Sequence, residues 1–236
     1  ETGVNYANAL ADAQKQGFAE ADPTNDVCGF DAARKLAILS SIGFRANITF
    51  DDVLVEGIEK IDKSDIQYAK DMGYTIKLLT VALRQENGIA LNVYPAFLPD
   101  NHPLSSVKGA YNAIYVTGNI VDDIMFYGRG AGALPTASAV MGDVISTAQH
   151  ILNGSTGTGM IMTDTKRIPF YSSLKLQNSY YFRLDVDDVT GVLSQIAAAF
   201  AENDISICEV VQKRKTKGLA ELVLITELAS RESILQ

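Results

Sequence analysis

The sequence predicts an α+β protein in which a mixed sheet with helices on one face is followed by a smaller unit that contains its own sheet. Helical patterns fill the chain up to about residue 72, and stretches rich in β-branched and apolar residues then take over. A glycine-rich segment at 153–159 has the composition of a flexible linker and precedes the last unit. The 236 residues, 47% of them hydrophobic, are enough for one large core or two modest cores.

Charge and cysteine content argue against several classes of function. The net charge of −8 is opposite to the basic surface that nucleic-acid binding requires. No apolar run approaches the roughly 18 residues of a membrane-spanning helix, and the first residues lack the pattern of a signal peptide. Cys28 and Cys208 match no metal-binding spacing, and with two histidines in the chain we expect no metal site. Free thiols are typical of a reducing compartment, so we expect a cytoplasmic protein.

Three helices are expected in the first part of the chain. Residues 4–15 place apolar side chains on one helical face. Residues 31–42 are mostly strong helix formers, and Gly43 is expected to end this helix. Residues 64–72 form a short helix with Ser64 as its N-cap.

An acidic loop precedes the second of these helices. Its carboxylates are those of Glu20, Asp22, Asp26 and Asp31. Asp31 and Lys35 are four residues apart, which places them one above the other on a single helix face. Such groups could hold a small zwitterion and move a proton. The alternative is a solvated loop with an ion pair of the kind that is common on helix surfaces.

The middle of the chain is predicted to form strands. Residues 74–84 and 89–97 are joined by Asn87-Gly88, a pair that tolerates the positive φ angles of a tight hairpin turn. Two further strands are expected at 110–117 and 124–127, with a turn at Gly118 between them.

A glycine-rich turn follows the last of these strands and precedes a long helix at about 134–152. Gly128, Gly130 and Gly132 let the backbone approach an anion closely at the start of a helix. Their spacing differs from the dinucleotide fingerprint, which needs G-x-G-x-x-G within a βαβ unit. A plain glycine turn is the alternative interpretation.

The last part of the chain follows the order β-α-β-β-α. The elements are a strand at 180–186, a helix at 192–202, strands at 205–213 and 219–227, and a helix that starts at Ser230. This order is that of a ferredoxin-like unit without its last strand.

Three stretches of the chain resemble homoserine dehydrogenases, in the bacterial form that carries a C-terminal ACT domain. They are residues 17–39, which contain the acidic loop, residues 98–113, and residues 125–139, which contain the glycine turn. The tail resembles an ACT domain through residues 187–193 and 205–207. The resemblance implies a catalytic domain for substrate binding and dimerisation at 1–176, and an incomplete ACT regulatory domain at 177–236.

The implied activity is the reversible, NAD(P)H-dependent reduction of L-aspartate 4-semialdehyde to L-homoserine in threonine and methionine biosynthesis. By resemblance, Lys35 supplies a proton or a positive charge to the developing alkoxide, and Asp31 binds or orients the reacting hydroxyl. Glu20 receives the substrate ammonium, and Asp26 is a further acidic position of the substrate site.

The implied cofactor is held mainly by an N-terminal nucleotide-binding domain, which residues 1–236 do not resemble. We therefore expect a fragment that lacks this domain, with Gly128, Gly130 and Gly132 facing the cofactor as a partial wall. A monovalent cation is also associated with the family, but its ligands mostly precede Glu1, so no residue is assigned to it. A phosphorylating semialdehyde dehydrogenase is disfavoured, because neither cysteine has a histidine beside it in the sequence.

The resemblance further implies a homodimer or higher homo-oligomer and threonine as a feedback effector. Asp188 and Ser206 are the candidate effector-binding residues. Thr190 stands where ACT sequences usually have proline. The alternative function is a non-catalytic module that dimerises and senses an amino acid. For His102 we expect a structural hydrogen bond. For Arg129 two interpretations remain open: a contact with a cofactor phosphate, or a position that is exposed or ion-paired.

Overall fold

The computed structural model describes residues 6–17, 19–155, 168–214 and 218–236. The expected start of the first helix at Val4, most of the linker at 153–159 and the turn at 215–217 lie outside these residues. The described residues form two compact units. One unit lies within Glu1–Ala82 and Leu91–Ile168, and the other within Leu83–Ala90 and Pro169–Gln236. The functional division at residue 176 stays a prediction.

The first unit contains the four predicted helices and, within the stretch expected to be a loop, an additional short helix at Thr24–Val27. They are α1 (Tyr6–Lys15), α2 (Thr24–Val27), α3 (Phe30–Phe44), α4 (Lys63–Asp71) and, further along, α5 (Ala133–Leu152), with short 3₁₀ turns at Phe50–Asp52 and Pro103–Ser106. The expected stop at Gly43 is wrong, because α3 continues to Phe44 and ends where Arg45 adopts a left-handed conformation with φ of 51°. A helical glycine costs only about 1 kcal/mol, which the packing of α3 outweighs.

The N-cap of α4 also differs from the prediction. Asp62, and not Ser64, caps the helix, since its Oδ1 accepts hydrogen bonds from the backbone N–H of Ser64 at 2.7 Å and of Asp65 at 3.1 Å. In return, Asp65 Oδ2 accepts from the backbone N–H of Asp62 at 2.9 Å. This reciprocal capping box places the N-cap of α4 two residues before the expected one.

A mixed three-stranded sheet holds the centre of the first unit. Its strands are β1 (Leu54–Val55), β2 (Tyr74–Gln85) and β3 (Gly88–Pro99), in the order β1-β3-β2. β1 runs parallel to β3. β2 and β3 are neighbours joined by a turn at Glu86-Asn87, so the hairpin predicted at residues 86–88 is present, with Gly88 as the first residue of β3. The residues of β3 from Gly88 to Val93 are all buried, so β3 is the core strand. The expected mixed sheet is therefore confirmed.

The tip of the β2–β3 hairpin, residues 83–90, is hydrogen-bonded to the segment that begins at Pro169. The backbone N–H of Ile89 donates to the Pro169 carbonyl at 3.0 Å, and the N–H of Tyr171 donates to the Ile89 carbonyl at 2.9 Å. Ile89 forms an isolated parallel bridge with Phe170. Residues 83–90 thus belong with the C-terminal part of the chain.

A second hairpin of the first unit is open to solvent. It consists of β4 (Tyr111–Gly118) and β5 (Asp122–Arg129), with Tyr111 opposite Arg129 and Gly118 opposite Asp122. Every residue of β5 is exposed, and α5 has no buried residue along its twenty positions.

The second unit contains the predicted β-α-β-β order. Its elements are β6 (Gln177–Asn178), β7 (Tyr181–Asp187), α6 (Val192–Glu202), β8 (Ile207–Arg214), β9 (Leu219–Thr226), β10 (Ala229–Ser230) and α7 (Arg231–Ile234), with a 3₁₀ turn at Ser173–Lys175. β9 lies between β7 and β8 and is antiparallel to both, so β7 and β8 are parallel to each other and joined by α6. This is the split βαβ arrangement of ferredoxin-like units. α6 contacts the sheet through Phe200, whose ring meets that of Phe182 edge-on at 5.2 Å.

Among the helices of the described residues, none combines the length and the hydropathy needed to cross a membrane.

Candidate active site

The acidic loop is shaped by a local turn at its centre. Asp22 Oδ1 accepts hydrogen bonds from the backbone N–H of Thr24 at 3.1 Å and from its hydroxyl at 2.6 Å. These two bonds favour the ionised carboxylate and hold the pKa of Asp22 below its usual value. The turn introduces α2, the short helix that carries Asp26.

Glu20 and Asp26 are brought together by the backbone. The N–H of Glu20 donates to Asp26 Oδ2 at 3.2 Å. The side-chain amide of Gln14 on α1 donates to the carbonyls of Glu20 at 2.9 Å and Ala21 at 3.2 Å. The loop is thereby fastened at both ends, and the Glu20 side chain is left exposed.

Asp31 and Lys35 form the predicted pair on α3. The Lys35 Nζ lies 2.6 Å from Asp31 Oδ2, and the two side chains are 66% and 47% exposed. α3 starts directly after Gly29, whose φ of 80° suits glycine and whose Cβ would press on Val93 Cγ1 at 3.1 Å. A carboxylate and an ammonium therefore stand in solvent on a helix that is anchored against the core strand β3.

A cluster that the sequence interpretation missed joins the loop to α3. Arg34 Nη1 donates to Asn25 Oδ1 at 2.9 Å, and its guanidinium lies 5.2 Å from the ring centre of Phe50. Phe50 in turn meets Phe30 edge-on at 5.9 Å. Asn25 and Arg34 both lie within residues 17–39, the stretch that resembles the family. Their contact was missed because the sequence was searched for pairs of opposite charge one helical turn apart, whereas Asn25 is neutral and nine residues from Arg34.

Cys28 lies where the backbone of the acidic loop packs closely against Gly57. The N–H of Ile58 donates to the Val27 carbonyl at 2.9 Å, and a Cβ at Gly57 would come within 2.3 Å of that carbonyl oxygen and 2.6 Å of Cys28 Cα. Burial, together with a hydrogen bond to the Glu59 carboxylate, raises the pKa of the Cys28 thiol. A thiol with a raised pKa is a poor nucleophile at neutral pH, so Cys28 is not an activated cysteine.

The glycine turn lies at the base of the open hairpin. Gly128 is opposite Asn112 in the β4–β5 register, and the Gly130 N–H donates to the Ala110 carbonyl at 3.2 Å. Gly132 precedes α5 with a φ of 119°, and Pro135 lies in the first turn of this helix, as expected. A Cβ at Gly128 would meet no atom within 4 Å. The backbone at Gly128 is therefore accessible to a flat ligand group.

Arg129 and His102 are both engaged within the protein. The Arg129 guanidinium lies 5.1 Å from the ring centre of Tyr111, which stacks on Tyr127 at 4.8 Å with the two rings 4° from parallel. His102 Nδ1 accepts a hydrogen bond from the backbone N–H of Leu104 at 3.2 Å, and this confirms the structural role expected for it.

Comparison with known proteins identifies the family. Residues 1–145 match the family model for homoserine dehydrogenase. The chain belongs to the homoserine dehydrogenase family. It is 43% identical over 239 residues to the homoserine dehydrogenase of Mycobacterium tuberculosis, covering 97% of this chain and 54% of the relative. The enzyme of Bacillus subtilis is 41% identical over 228 residues, with 95% of this chain and 52% of the relative covered.

A solved homoserine dehydrogenase has the same fold. The crystal structure of the enzyme from Thiobacillus denitrificans superposes with a TM-score of 0.89 at 35% identity, over 99% of this chain and 54% of the other chain. The predicted family and the α+β fold class are therefore confirmed. The chain spans about half the length of the curated homoserine dehydrogenases it matches.

The candidate effector residues lie far apart within one chain. The N–H of Asp188 donates to the Gly218 carbonyl before β9, whereas the Ser206 carbonyl accepts from Glu227 after β9, both at 2.8 Å. β9 has eight residues, so the two positions are separated by about 25 Å at the rise of an extended strand. One chain cannot bring both residues to the same small ligand.

The described residues contain no group of three or more His, Cys, Asp or Glu side chains placed to hold a metal ion.

Proposed function

We propose that the protein to which this chain belongs is a cytoplasmic homoserine dehydrogenase that reversibly reduces L-aspartate 4-semialdehyde to L-homoserine with NAD(P)H. Family membership supports the reaction. The observation that carries it in this chain is the pairing of Lys35 with Asp31 at 2.6 Å, on an exposed helix face that follows the fastened loop of Glu20 and Asp26. This chain supplies the substrate side of the site.

Each side chain has a chemical task in this proposal. The Lys35 ammonium donates a proton to the alkoxide that develops on the substrate, or stabilises its charge, and Asp31 keeps the ammonium oriented and accepts from the reacting hydroxyl. The exposed Glu20 carboxylate binds the substrate ammonium. Asp26 holds the Glu20 backbone through its Oδ2, so its role is to position Glu20.

The glycine turn fits the nicotinamide end of the cofactor. Gly128 and Gly130 present backbone without side chains, and the open space at Gly128 leaves room for a planar ring. When bound, the nicotinamide supplies the hydride. The residues of this chain orient the ring and exclude water from one side of it.

Replacement of Lys35 tests the proposal. In the full-length protein, Lys35→Ala should lower kcat by at least about 100-fold, the usual contribution of a positioned proton donor. Lys70→Ala removes an exposed lysine from α4 and should leave kcat within about twofold of wild type. Steady-state assays of semialdehyde reduction measure both. A Lys35→Ala variant with near-normal kcat would contradict the assignment.

We further propose that the full protein is a homodimer assembled through the open hairpin and α5. Exposed apolar side chains include those of Ile114, Val116, Ile124 and Phe126 on the hairpin, and of Val140, Met141, Val144 and Ile145 on α5. The four on α5 share one helix face through their i, i+4 spacing. Exposed apolar side chains on two elements that the described residues leave uncovered suit the self-complementary contact of a two-fold dimer.

An interface substitution tests the dimer. Phe126→Asp should raise the dimer dissociation constant by about 30-fold or more, as expected for an aromatic residue at the centre of an interface. Val189→Asp places the same charge on an exposed residue of the second unit and should leave the dimer intact. Sedimentation equilibrium of the full-length protein reports both, and an unchanged dimer in the Phe126→Asp variant would refute this interface.

A second candidate function is amino-acid sensing by residues 177–236 as an ACT domain, with threonine as effector. The order β7-β9-β8 supports it. Because Asp188 and Ser206 lie at opposite ends of β9, a site that uses both must combine two copies of the chain. Calorimetry with threonine should show a dissociation constant that weakens on dilution to monomers. Absence of heat at millimolar threonine would argue for a structural role.

A further inference from the structure

Asn112 holds an unusual position beside the glycine turn. Its side chain is exposed, and its carboxamide occupies the space above Gly130. A Cβ added to Gly130 would come within 1.6 Å of Asn112 Nδ2 and 2.6 Å of Asn112 Cγ. The φ of Gly130 lies outside the left-handed region, so conformation does not require glycine there. The space is used by the Asn112 carboxamide instead.

The strand register shows which groups share this place. Asn112 is paired with Gly128, and Ile114 with Phe126, so these residues lie on one face of the hairpin. Tyr111 and Arg129 alternate to the other face, where the guanidinium is stacked on the tyrosine ring. On the face of the hairpin that contains Gly128, the polar side chain nearest to the glycine turn is therefore the neutral Asn112, and the charged Arg129 lies on the opposite face.

The Asn112 carboxamide is available to a ligand. Within the described part of the chain it takes part in no hydrogen bond, although it has two donor hydrogens and an acceptor oxygen. Such a group is complementary to a second primary amide, to which it can donate and from which it can accept. It is poorly matched to a phosphate, which attracts cations and helix termini.

We propose that Asn112 hydrogen-bonds the carboxamide of the nicotinamide ring, and that Gly130 lacks a side chain so that the Asn112 carboxamide can take this position. The inference rests on the proposed function. It adds to that function a residue that orients the ring through its amide substituent. The open space at Gly128, opposite Asn112 in the register, is where the ring itself would lie.

Equilibrium binding tests the contact without relying on turnover. Calorimetry on the full-length protein compares NAD⁺ or NADP⁺, whichever binds more tightly, with its 3-acetylpyridine analogue, which keeps the carbonyl oxygen but lacks the NH₂ group. Asn112→Ala should weaken binding of the natural dinucleotide by about fivefold, the usual range for one or two neutral hydrogen bonds. The preference of wild type for the natural dinucleotide over the analogue should shrink in the variant.

Asn119→Ala is the matched control. Asn119 is an exposed asparagine at the tip of the same hairpin, and its replacement should leave both dissociation constants unchanged. Asn112→Leu, which has a similar size but neither donor nor acceptor, should weaken binding at least as much as Asn112→Ala. Wild-type affinity in Asn112→Ala, or an unchanged preference between dinucleotide and analogue, would overturn the inference.

A double-variant cycle tests the link to Gly130. Gly130→Ala should displace the Asn112 carboxamide and weaken binding by a similar factor, and Asn112→Ala/Gly130→Ala should bind no more weakly than either single variant. Losses that multiply would show that Gly130 acts independently of Asn112. If wild type binds the dinucleotide but does not reduce the semialdehyde, the proposed function fails. If wild type is active and Asn112→Ala binds normally, only this inference fails.

Discussion

The strands β3 and β5 are both rich in apolar residues, yet they have opposite environments. Residues 88–93 of β3 are buried without exception, whereas all eight residues of β5 are exposed. β3 is the central strand of the β1-β3-β2 sheet, and β5 is the edge of a two-stranded hairpin. The contrast shows that the described residues complete the core around β3 but leave the hairpin without a cover.

The open hairpin would be marginal as an isolated element. Two-stranded hairpins have little stability of their own in water, and large exposed apolar patches usually mark interaction surfaces. Phe126 is 62% exposed, whereas Leu91 on β3 is 2% exposed. The helix α3 is thus anchored against the buried strand β3, whereas the described residues leave the apolar side chains of β5 uncovered.

The largest expected effect is a difference in unfolding free energy between alanine variants of β3 and β5. Leu91→Ala removes a buried side chain and should lower the free energy of unfolding by about 2–5 kcal/mol. Phe126→Ala should cost less than about 1 kcal/mol in the monomer, because its ring is mostly in solvent there. Urea unfolding at concentrations below the dimer dissociation constant measures both. Equal losses would break the comparison.

A second test uses two glycines, one packed beneath the acidic loop and one in the open hairpin. Gly57→Ala would force a Cβ to within 2.3 Å of the Val27 carbonyl oxygen, which is backbone and cannot rotate away. The expected cost is about 1–3 kcal/mol, typical of overpacking. At Gly128 a Cβ meets nothing within 4 Å, so Gly128→Ala should leave the unfolding free energy within about 0.5 kcal/mol of wild type. A Gly57→Ala variant as stable as Gly128→Ala would contradict the close packing beneath the acidic loop.

The smallest expected effect concerns pH. Hydrogen bonds from the hydroxyls of Tyr115 and Thr117 lower the pKa of Asp123 at the start of β5. A lowered folded-state pKa stabilises the hairpin above the usual Asp range, and this contribution is lost as the pH falls through the folded-state value. Hydrogen exchange of β4 and β5 amides should therefore show weaker protection in acid.

Strand β3 of the same protein and the Asp123→Asn variant serve as controls for the effect of pH on hydrogen exchange. Residues 88–93 contain no titratable side chain, so protection of β3 should not share the acid dependence. Asp123→Asn should remove the dependence from the hairpin. A hairpin whose protection is constant in acid, or which keeps its pH dependence in Asp123→Asn, would argue that these hydroxyl–carboxylate bonds do not stabilise it.

Local chemistry was sufficient to predict much of the fold. The hairpin expected at residues 86–88 is present, although Gly88 alone of these three residues has a positive φ, and α6 begins and ends where its pattern predicts. The i,i+4 spacing of Asp31 and Lys35 fixed their pairing, since helix geometry leaves little freedom. Each of these features depends on residues that are close together in the sequence.

Features that depend on tertiary structure could not be predicted from the sequence. One local feature was also missed, because Asp62 competes with Ser64 as a cap and the reciprocal bond to Asp65 decides between them. The fit of the Asn112 carboxamide over Gly130 requires the β4–β5 register, which sequence spacing does not supply. The roles of Lys35, Asp31, Glu20 and Asp26 were predicted from the family resemblance. Residue chemistry alone favoured a solvated ion pair on the helix surface, because such pairs are common.

The hairpin tip at 83–90 constrains how the C-terminal unit can be exchanged between homologues. The backbone passes from one unit to the other at 82/83, at 90/91 and at 168/169. Deletion of 169–236 would strip the backbone partners from Ile89, which is 1% exposed, and leave it facing water. A chimaera that recombines this unit as a single gene segment would separate two interdependent pieces, so a faithful graft must transplant residues 83–90 as well.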